Sequence, residues 1–456
     1  MSAPSGGRVA AWALDAVIVL ASIAGLWLVW TQSVEFGSER GQWVFRYVDT
    51  VDGRFVALAC AAGLMVAALH EVGRRWVDTG PVLTVAATLA GGVGVQLALR
   101  SLYPHAMGEL VVSDVVNSFY EAAGRVGPLE LLADFERQAM RLPLHARVNM
   151  PGKVVFYQAL RAITSDPDAL ALAVVCTSSA AGLLLYAVVA RVFASRALGL
   201  DALTLWLLVP AKASFHPVLN VVSPLPALLV VWCFVRLVQG AGAWSALALG
   251  TSAYLTAFFD PLAFWLALPF AALAVRGRSR PVRVAALLGL AVLAFLATHF
   301  AVRATTGFDA WRRFLAMVEF ARVFNVRWNR PYDLWVWANV KDVALAVGPA
   351  VAAACVAAGL LALWTTGRTI ATAAWRRLDD PGPLLALATV GAVGALVALG
   401  LNRGEVARLW IPVFVPVQAA AAWCTGESHA ASRALVIAAT VAYAAVTVAT
   451  VGYALP

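Results

Sequence analysis

The sequence predicts an all-α, polytopic integral membrane protein with about 11–13 transmembrane helices, and three observations carry that prediction. Hydrophobic residues make up 62% of the 456 and charged residues only 13%, a balance that a water-soluble fold of this length cannot hide in one core. Mean hydropathy is +0.80. Apolar runs of about twenty residues recur along the chain, each long enough at about 1.5 Å per residue to cross roughly 30 Å of hydrocarbon.

In order, the apolar segments fall at 9–30, 54–70, 81–101, 168–192, 199–213, 218–238, 243–258, 262–275, 284–303, 343–366, 383–401, 409–425 and 434–454. The first is too long for a secretory signal, and Trp30 and Thr31 do not make a small-residue cleavage site, so it is expected to remain as an anchor. Pro210, Pro217, Pro224 and Pro261 interrupt the shortest segments, because proline lacks the helical N–H and crowds the preceding turn. No internal repeat or long linker divides the chain. It reads as a single transmembrane domain, 1–456: extra N-terminal spans over 1–80, a core over 81–425 with outer loops at 103–165 and 305–341, and a C-terminal span over 426–456.

Orientation follows from the short loops. Arg74 with Arg75, Arg191 with Arg196, the run Arg276–Arg283, and Arg368 with Arg376 and Arg377 fall on alternate loops, which the positive-inside rule assigns to the cytoplasm. The two long loops, His216 with Asn220, and the run Asn402–Arg408 are then expected on the outer face of the cytoplasmic membrane. The net charge of +9 is spread over many loops, so a lipid bilayer with anionic headgroups is the expected counterpart and nucleic acid is not. Of the 34 basic residues only Lys153, Lys212 and Lys341 are lysine. The five cysteines, Cys60, Cys176, Cys233, Cys355 and Cys424, lie inside apolar segments with no close pair, which suggests packing rather than disulfides or a metal.

The first outer loop holds most of the chemistry. It opens with LVVSDVVNSFYEAAGRVGPLE from Leu110 and closes with LPLHARVNMPGKVVFYQAL from Leu142. Helical spacing over Asp114–Arg125 and Pro128–Arg141 predicts interfacial helices, with Asp114 able to cap the first. Leu129, Leu131, Leu132, Phe135 and Met140 are expected to lay an apolar face on the lipid.

That order, a span ending near Tyr103, an outer acidic residue at Asp114, an interfacial helix pair, the run HARVNMPGK and then another span, resembles the GT-C superfamily of membrane glycosyltransferases. This superfamily includes protein O-mannosyltransferases and lipid A aminoarabinose transferases. Here His145 is displaced from the proline, and Asn149-Met150-Pro151-Gly152 replaces the compact His-Pro-Pro form. FHPVLNVVSPL from Phe215, RPYDLWVWANVKD from Arg330 and RGEVARLWIP from Arg403 are similar to stretches of bacterial multispanning transferases. The resemblance covers about residues 81–425 and implies a GT-C-like fold. It also implies transfer of a sugar from a polyprenyl-phosphate donor to an envelope glycan, lipid or protein on the extracytoplasmic face.

On that footing Asp114 stands where a general base for the acceptor hydroxyl belongs, and a single displacement would invert the anomeric carbon; the alternative is a helix cap alone. Tyr120 and Glu121 lie about two turns on and are candidates for sugar contact, or for a solvated surface. His145, Asn149 and Lys153 follow in the same loop, with Lys153 at the depth of a lipid phosphate or simply snorkelling. Arg327 and Arg330 offer bidentate donors beside aromatics. Glu405 and Arg408 are expected to pair and to orient Arg403. His216 and Asn220 occupy a proline-broken segment that could line the cavity. No cofactor is certain; a divalent cation is compatible with the site but not indicated.

GxSxG, HExxH, P-loop and strand-borne GxGxxG patterns are missing, and no soluble domain is present to hold a nucleotide. Two other classes stay open. The broken segments suit a transporter or flippase, and a non-catalytic envelope-assembly protein would tolerate any change at Asp114.

Overall fold

The computed structural model describes residues 5–273, 281–371, 380–426 and 430–453. Among them, nine helices are long and apolar enough to cross a membrane: Ala13–Trp30, Gly53–Trp76, Pro81–Arg100, Pro167–Phe193, Leu219–Val238, Pro281–Thr306, Pro349–Gly367, Pro381–Leu399 and Ala430–Thr450. Ala243–Phe259, Pro261–Ala271 and Ile411–Gly426 are shorter apolar helices. By length and composition this is an all-α, multi-pass membrane architecture. The strands in the described chain are β1 (Phe36–Ser38) and β2 (Trp43–Phe45), an antiparallel pair with Phe36 opposite Phe45.

The expected span 199–213 is broken. Its first part is the helix Arg196–Leu207, capped by the Ser195 hydroxyl, and its second is the short helix Pro210–Phe215. Pro210 supplies no N–H, and Val209 is extended, so the backbone cannot continue the first helix through it. The expected span 409–425 is likewise a 3₁₀ turn at Ile411–Val413, containing Pro412, followed by the helix Phe414–Gly426.

Chain reversals gather at two ends. At one, Arg196 donates to the Asp78 carbonyl (3.2 Å), Arg191 to Gln239 (2.5 Å), and Arg433 pairs with Glu71 (3.1 Å). At the other, Lys341 donates to the Gly37 carbonyl (2.8 Å), Arg313 to the Asn149 carbonyl (3.3 Å), and Asn339 to the Asn402 carbonyl (2.8 Å). Arg74, Arg191 and Arg196, expected on one face, do share an end. Arg276–Arg280, Arg376 and Arg377 lie outside the described residues, as does the side chain of Arg368.

Lipid offers no hydrophobic drive between helices, so close backbone approach at small residues holds the bundle. The helix Ala430–Thr450 is the most enclosed span, and Gly63 of Gly53–Trp76 lies so near it that a Cβ would overlap the Ala438 carbonyl. Gly250 meets the Ala291 carbonyl of Pro281–Thr306 in the same way.

The first long loop departs from its expected form in three respects. Ser113, not Asp114, is the cap: its hydroxyl accepts from the Val116 N–H (3.2 Å), and Asp114 is the first helical residue. The predicted helix 114–125 divides into Asp114–Asn117 and Phe119–Arg125 at Ser118, whose buried hydroxyl accepts from the His145 N–H (3.1 Å). Finally, the face expected to meet lipid splits: Leu129 and Met140 are exposed, whereas Leu131, Leu132 and Phe135 turn into the core. The second predicted helix, 128–141, is likewise two short ones, Pro128–Ala133 and Phe135–Ala139.

Replacing Gly250 by leucine is expected to force apart the helices Ala243–Phe259 and Pro281–Thr306, costing about 1–3 kcal/mol or more. A thermal melt of the detergent-solubilised protein checks this; an unchanged midpoint would contradict the close approach.

Candidate functional site

A cavity of about 830 Å³ opens where the long loops meet. Seven of the residues singled out from the sequence line it: Asp114, His145, Asn149, Arg330, Arg403, Glu405 and Arg408. They come from three distant stretches, which the helical bundle brings to one end.

Asp114 begins a single helical turn after the extended Ser113. Its side chain is exposed toward the cavity, and among the described residues its carboxylate has no hydrogen-bond or ion-pair partner. His145 sits in the turn Leu144–Val148, started by Pro143. Its Nε2 lies 3.0 Å from the Val115 carbonyl, which can only accept, so Nε2 carries the proton and Nδ1 is the acceptor. Burial first, and then the positive charge of Arg408, push its pKa down to about 4. The imidazole is therefore neutral at physiological pH. Asn149 donates its side-chain amide back to the His145 carbonyl (2.8 Å), closing the turn.

Opposite these groups stands a cluster of guanidinium ions. Arg330 is 4% exposed; its guanidinium carbon lies 5.1 Å from the centre of the Trp43 ring and 4.8 Å from that of Phe324. It donates to the Arg403 carbonyl (2.5 Å), and Arg403 donates to the Arg330 carbonyl in return (2.8 Å). Burial lowers the Arg330 pKa from the ordinary arginine value, opposed by Glu405. Glu405 pairs closely with Arg408, as expected, and reaches Arg330 at 3.7 Å. It does not touch Arg403, which is oriented instead by the carbonyls of Gly400 (3.2 Å) and Arg330. Gly404 at φ +86° and Glu405 at φ +60° turn the loop in the left-handed region, a strain that glycine takes freely and glutamate does not.

The remaining candidates lie outside the cavity lining. Glu121 pairs with Arg125 one turn on in the same short helix, and Tyr120 stacks under Arg161, 4.4 Å from ring centre to guanidinium carbon. Lys153 is buried in an ion pair with Asp260 (2.9 Å), which also accepts from the Ser223 hydroxyl (2.6 Å). His216 and Asn220 are buried in the helix break, and Arg327 is exposed.

Sequence reasoning passed over part of the wall. Gln42, Trp43 and Phe45 reach in from the β1–β2 hairpin, Asn325 and Asn402 flank the guanidinium cluster, and Tyr453 arrives from the far end of the sequence. The one local hint was a polar and aromatic stretch, SVEFGSERGQWVFRY, between two spans. Phe215, Met317, Phe320, Phe324 and Trp328 make the rest of the wall apolar.

Chemically the cavity offers an unpaired carboxylate, a neutral imidazole and three guanidinium ions beside apolar surface. Guanidinium ions can bind an anion, a carboxylate can accept from a hydroxyl group, and the apolar wall can cover hydrocarbon. Among the described residues no three His, Cys, Asp or Glu side chains are grouped as metal ligands. No protein-family model matches the chain, and no curated protein matches it.

Asp260→Ala leaves the Lys153 ammonium buried and unpaired and is expected to cost about 3–5 kcal/mol, while Lys153→Met in the same chain restores much of the loss. Equal melts for the single and double variants would mean the pair is not coupled. His145 gives a pH prediction. An unfolded chain takes up the imidazole proton near 6.5 and the folded one near 4, so acid favours unfolding, with stability falling as pH drops from 6.5 to 4. Melts of His145→Gln over that range are expected to fall less steeply.

Proposed function

We propose that this protein is a membrane glycosyltransferase of the GT-C type. It moves a sugar from a polyprenyl-phosphate donor to an envelope acceptor on the extracytoplasmic side. The observation that carries the proposal is the unpaired Asp114 carboxylate in the same cavity as Arg330, Arg403 and Arg408, with an apolar wall alongside.

In this reading the polyprenyl chain lies along the apolar wall and its phosphate faces the guanidinium cluster. Asp114 removes the proton from the acceptor hydroxyl as that oxygen bonds to the anomeric carbon. The bond from the anomeric carbon to the phosphate oxygen breaks from the opposite side, so the centre inverts. The electron pair leaves on the polyprenyl phosphate, whose added charge the guanidinium ions stabilise. Neutral His145, donating through Nε2 to a carbonyl, keeps its Nδ1 available to accept from a sugar hydroxyl.

A second reading, a transporter or flippase of a lipid-linked substrate, draws support from the helix broken between Leu207 and Pro224, where Lys212 and His216 are fully buried.

The test is sugar transfer from a panel of radiolabelled polyprenyl-phosphate donors in membranes holding the wild-type chain or Asp114→Asn. Transfer is expected with the wild type and to fall by about 10²–10⁴-fold in the variant at equal insertion. Equal transfer by both would reject Asp114 as base. No transfer with any donor, together with movement of a lipid-linked sugar across proteoliposomes, would favour transport.

A further inference from the structure

Two of the residues that line the cavity, Phe215 and Val218, bracket a second polar cluster behind its wall. Arg100 ends the helix Pro81–Arg100, and Lys212 and His216 belong to the helix break; their exposures are 2%, 0% and 0%. Hydrogen bonds and ring contacts tie them together. Arg100 Nε donates to the His216 carbonyl (2.9 Å), and its guanidinium carbon lies 3.9 Å from the Tyr103 ring centre. Lys212 Nζ stands 4.8 Å from the Trp206 ring centre. Trp206 donates to the Ser178 carbonyl (3.3 Å), and the Ser178 hydroxyl lies 3.5 Å from His216 Nε2.

Four nitrogens of this cluster are buried without a hydrogen-bond partner: Nη1 and Nη2 of Arg100, Nζ of Lys212 and Nδ1 of His216. Among the described residues no carboxylate is paired with any of the three side chains. Asp201 is taken by His70 and Arg74, and Asp260 by Lys153. A buried lysine can give up its proton, but a guanidinium does not. Arg100 therefore holds a full charge and two buried donor nitrogens that meet no protein acceptor, which is costly unless an acceptor meets them.

We propose that Arg100, Lys212 and His216 form an anion site behind the cavity wall at Phe215 and Val218. Its ligand is a phosphate-class oxyanion, either free phosphate or the phosphate head of a polyprenyl lipid. A tetrahedral oxyanion brings several acceptor oxygens and so can accept from more than one of these unpartnered donors at once. The site is separate from the Arg330 cluster and does not depend on glycosyl transfer, since binding is read without turnover.

The experiment is thermal unfolding of the full chain in lipid nanodiscs, followed by tryptophan fluorescence. Sodium phosphate is titrated against sodium chloride at equal ionic strength, and separately polyprenyl monophosphate is added to the disc lipids. A ligand of the folded state raises the midpoint with concentration. The midpoint is expected to rise with phosphate, or with polyprenyl monophosphate alone; the first outcome identifies the free anion and the second the lipid head. In an Arg330→Gln background, which takes the open cavity's own phosphate contact out of the readout, the rise is expected to remain, and Lys212→Met and Arg100→Gln are expected to weaken the apparent affinity about tenfold or more. No rise in the wild type under either condition overturns the proposal. So does a rise abolished by Arg330→Gln yet kept by Lys212→Met and Arg100→Gln, because it assigns the anion to the open cavity. Should either variant fail to fold, Arg100→Lys keeps the charge and removes the fork; unchanged affinity in that variant also overturns the proposal.

Discussion

A guanidinium taken out of water has to be met by acceptors and aromatic faces, and Arg330 draws both from three separate stretches of chain. Trp43 comes from the hairpin ahead of the second span, Phe324 from the helix Ala310–Arg327, and the Arg403 carbonyl and Glu405 from the loop 400–410. None of these segments has a core of its own. Because one side chain draws contacts from all of them, it ties these segments together at the cavity wall. Asp342 reinforces the same arrangement from below: it accepts from the Gly37 N–H (3.0 Å), and burial pushes its pKa up to about 6. The hairpin is thus held to the helix Tyr332–Val347 by groups that are expensive to leave unpaired.

The architecture was legible because spans are written in composition over windows of about twenty residues, which lipid thickness enforces. Asp114 stood out for a related reason, a carboxylate just beyond an apolar run in a loop too long to be a mere connector, and it does line the cavity. The breaks were harder. Pro210 announced one, but no proline or glycine marks the other at Ser118. Sequence periodicity describes a helix as though alone, and contacts such as that of the Ser118 hydroxyl with the His145 N–H, twenty-seven residues away, lie outside its reach.

The same limit explains the missed wall residues. Trp43 matters because Arg330 stacks on it, and Tyr453 because it packs against Phe45 (4.9 Å between ring centres) and Phe215 (5.2 Å). Those contacts join parts of the chain hundreds of residues apart and leave no local pattern in either. Lys153 illustrates the converse error. Its place after a Pro-Gly corner suggested a phosphate, but Asp260, far along the chain, already supplies the opposite charge. An isolated basic residue near lipid cannot be assigned a ligand until every acidic residue has been accounted for.

Gly452 donates to the Arg46 carbonyl, and Val48 to that of Thr450, so the stretch 450–453 lies beside the hairpin. A chain made from its amino end finishes the hairpin early and this companion segment late. Until that segment is made, Phe36 and Phe45 have no Tyr453 ring to cover them. This end of the molecule keeps open aromatic edges for as long as the segment 450–453 is missing. Whatever escorts nascent membrane chains meets this protein in that unfinished condition, and a chain cut before Gly452 lacks two of the residues that line the cavity.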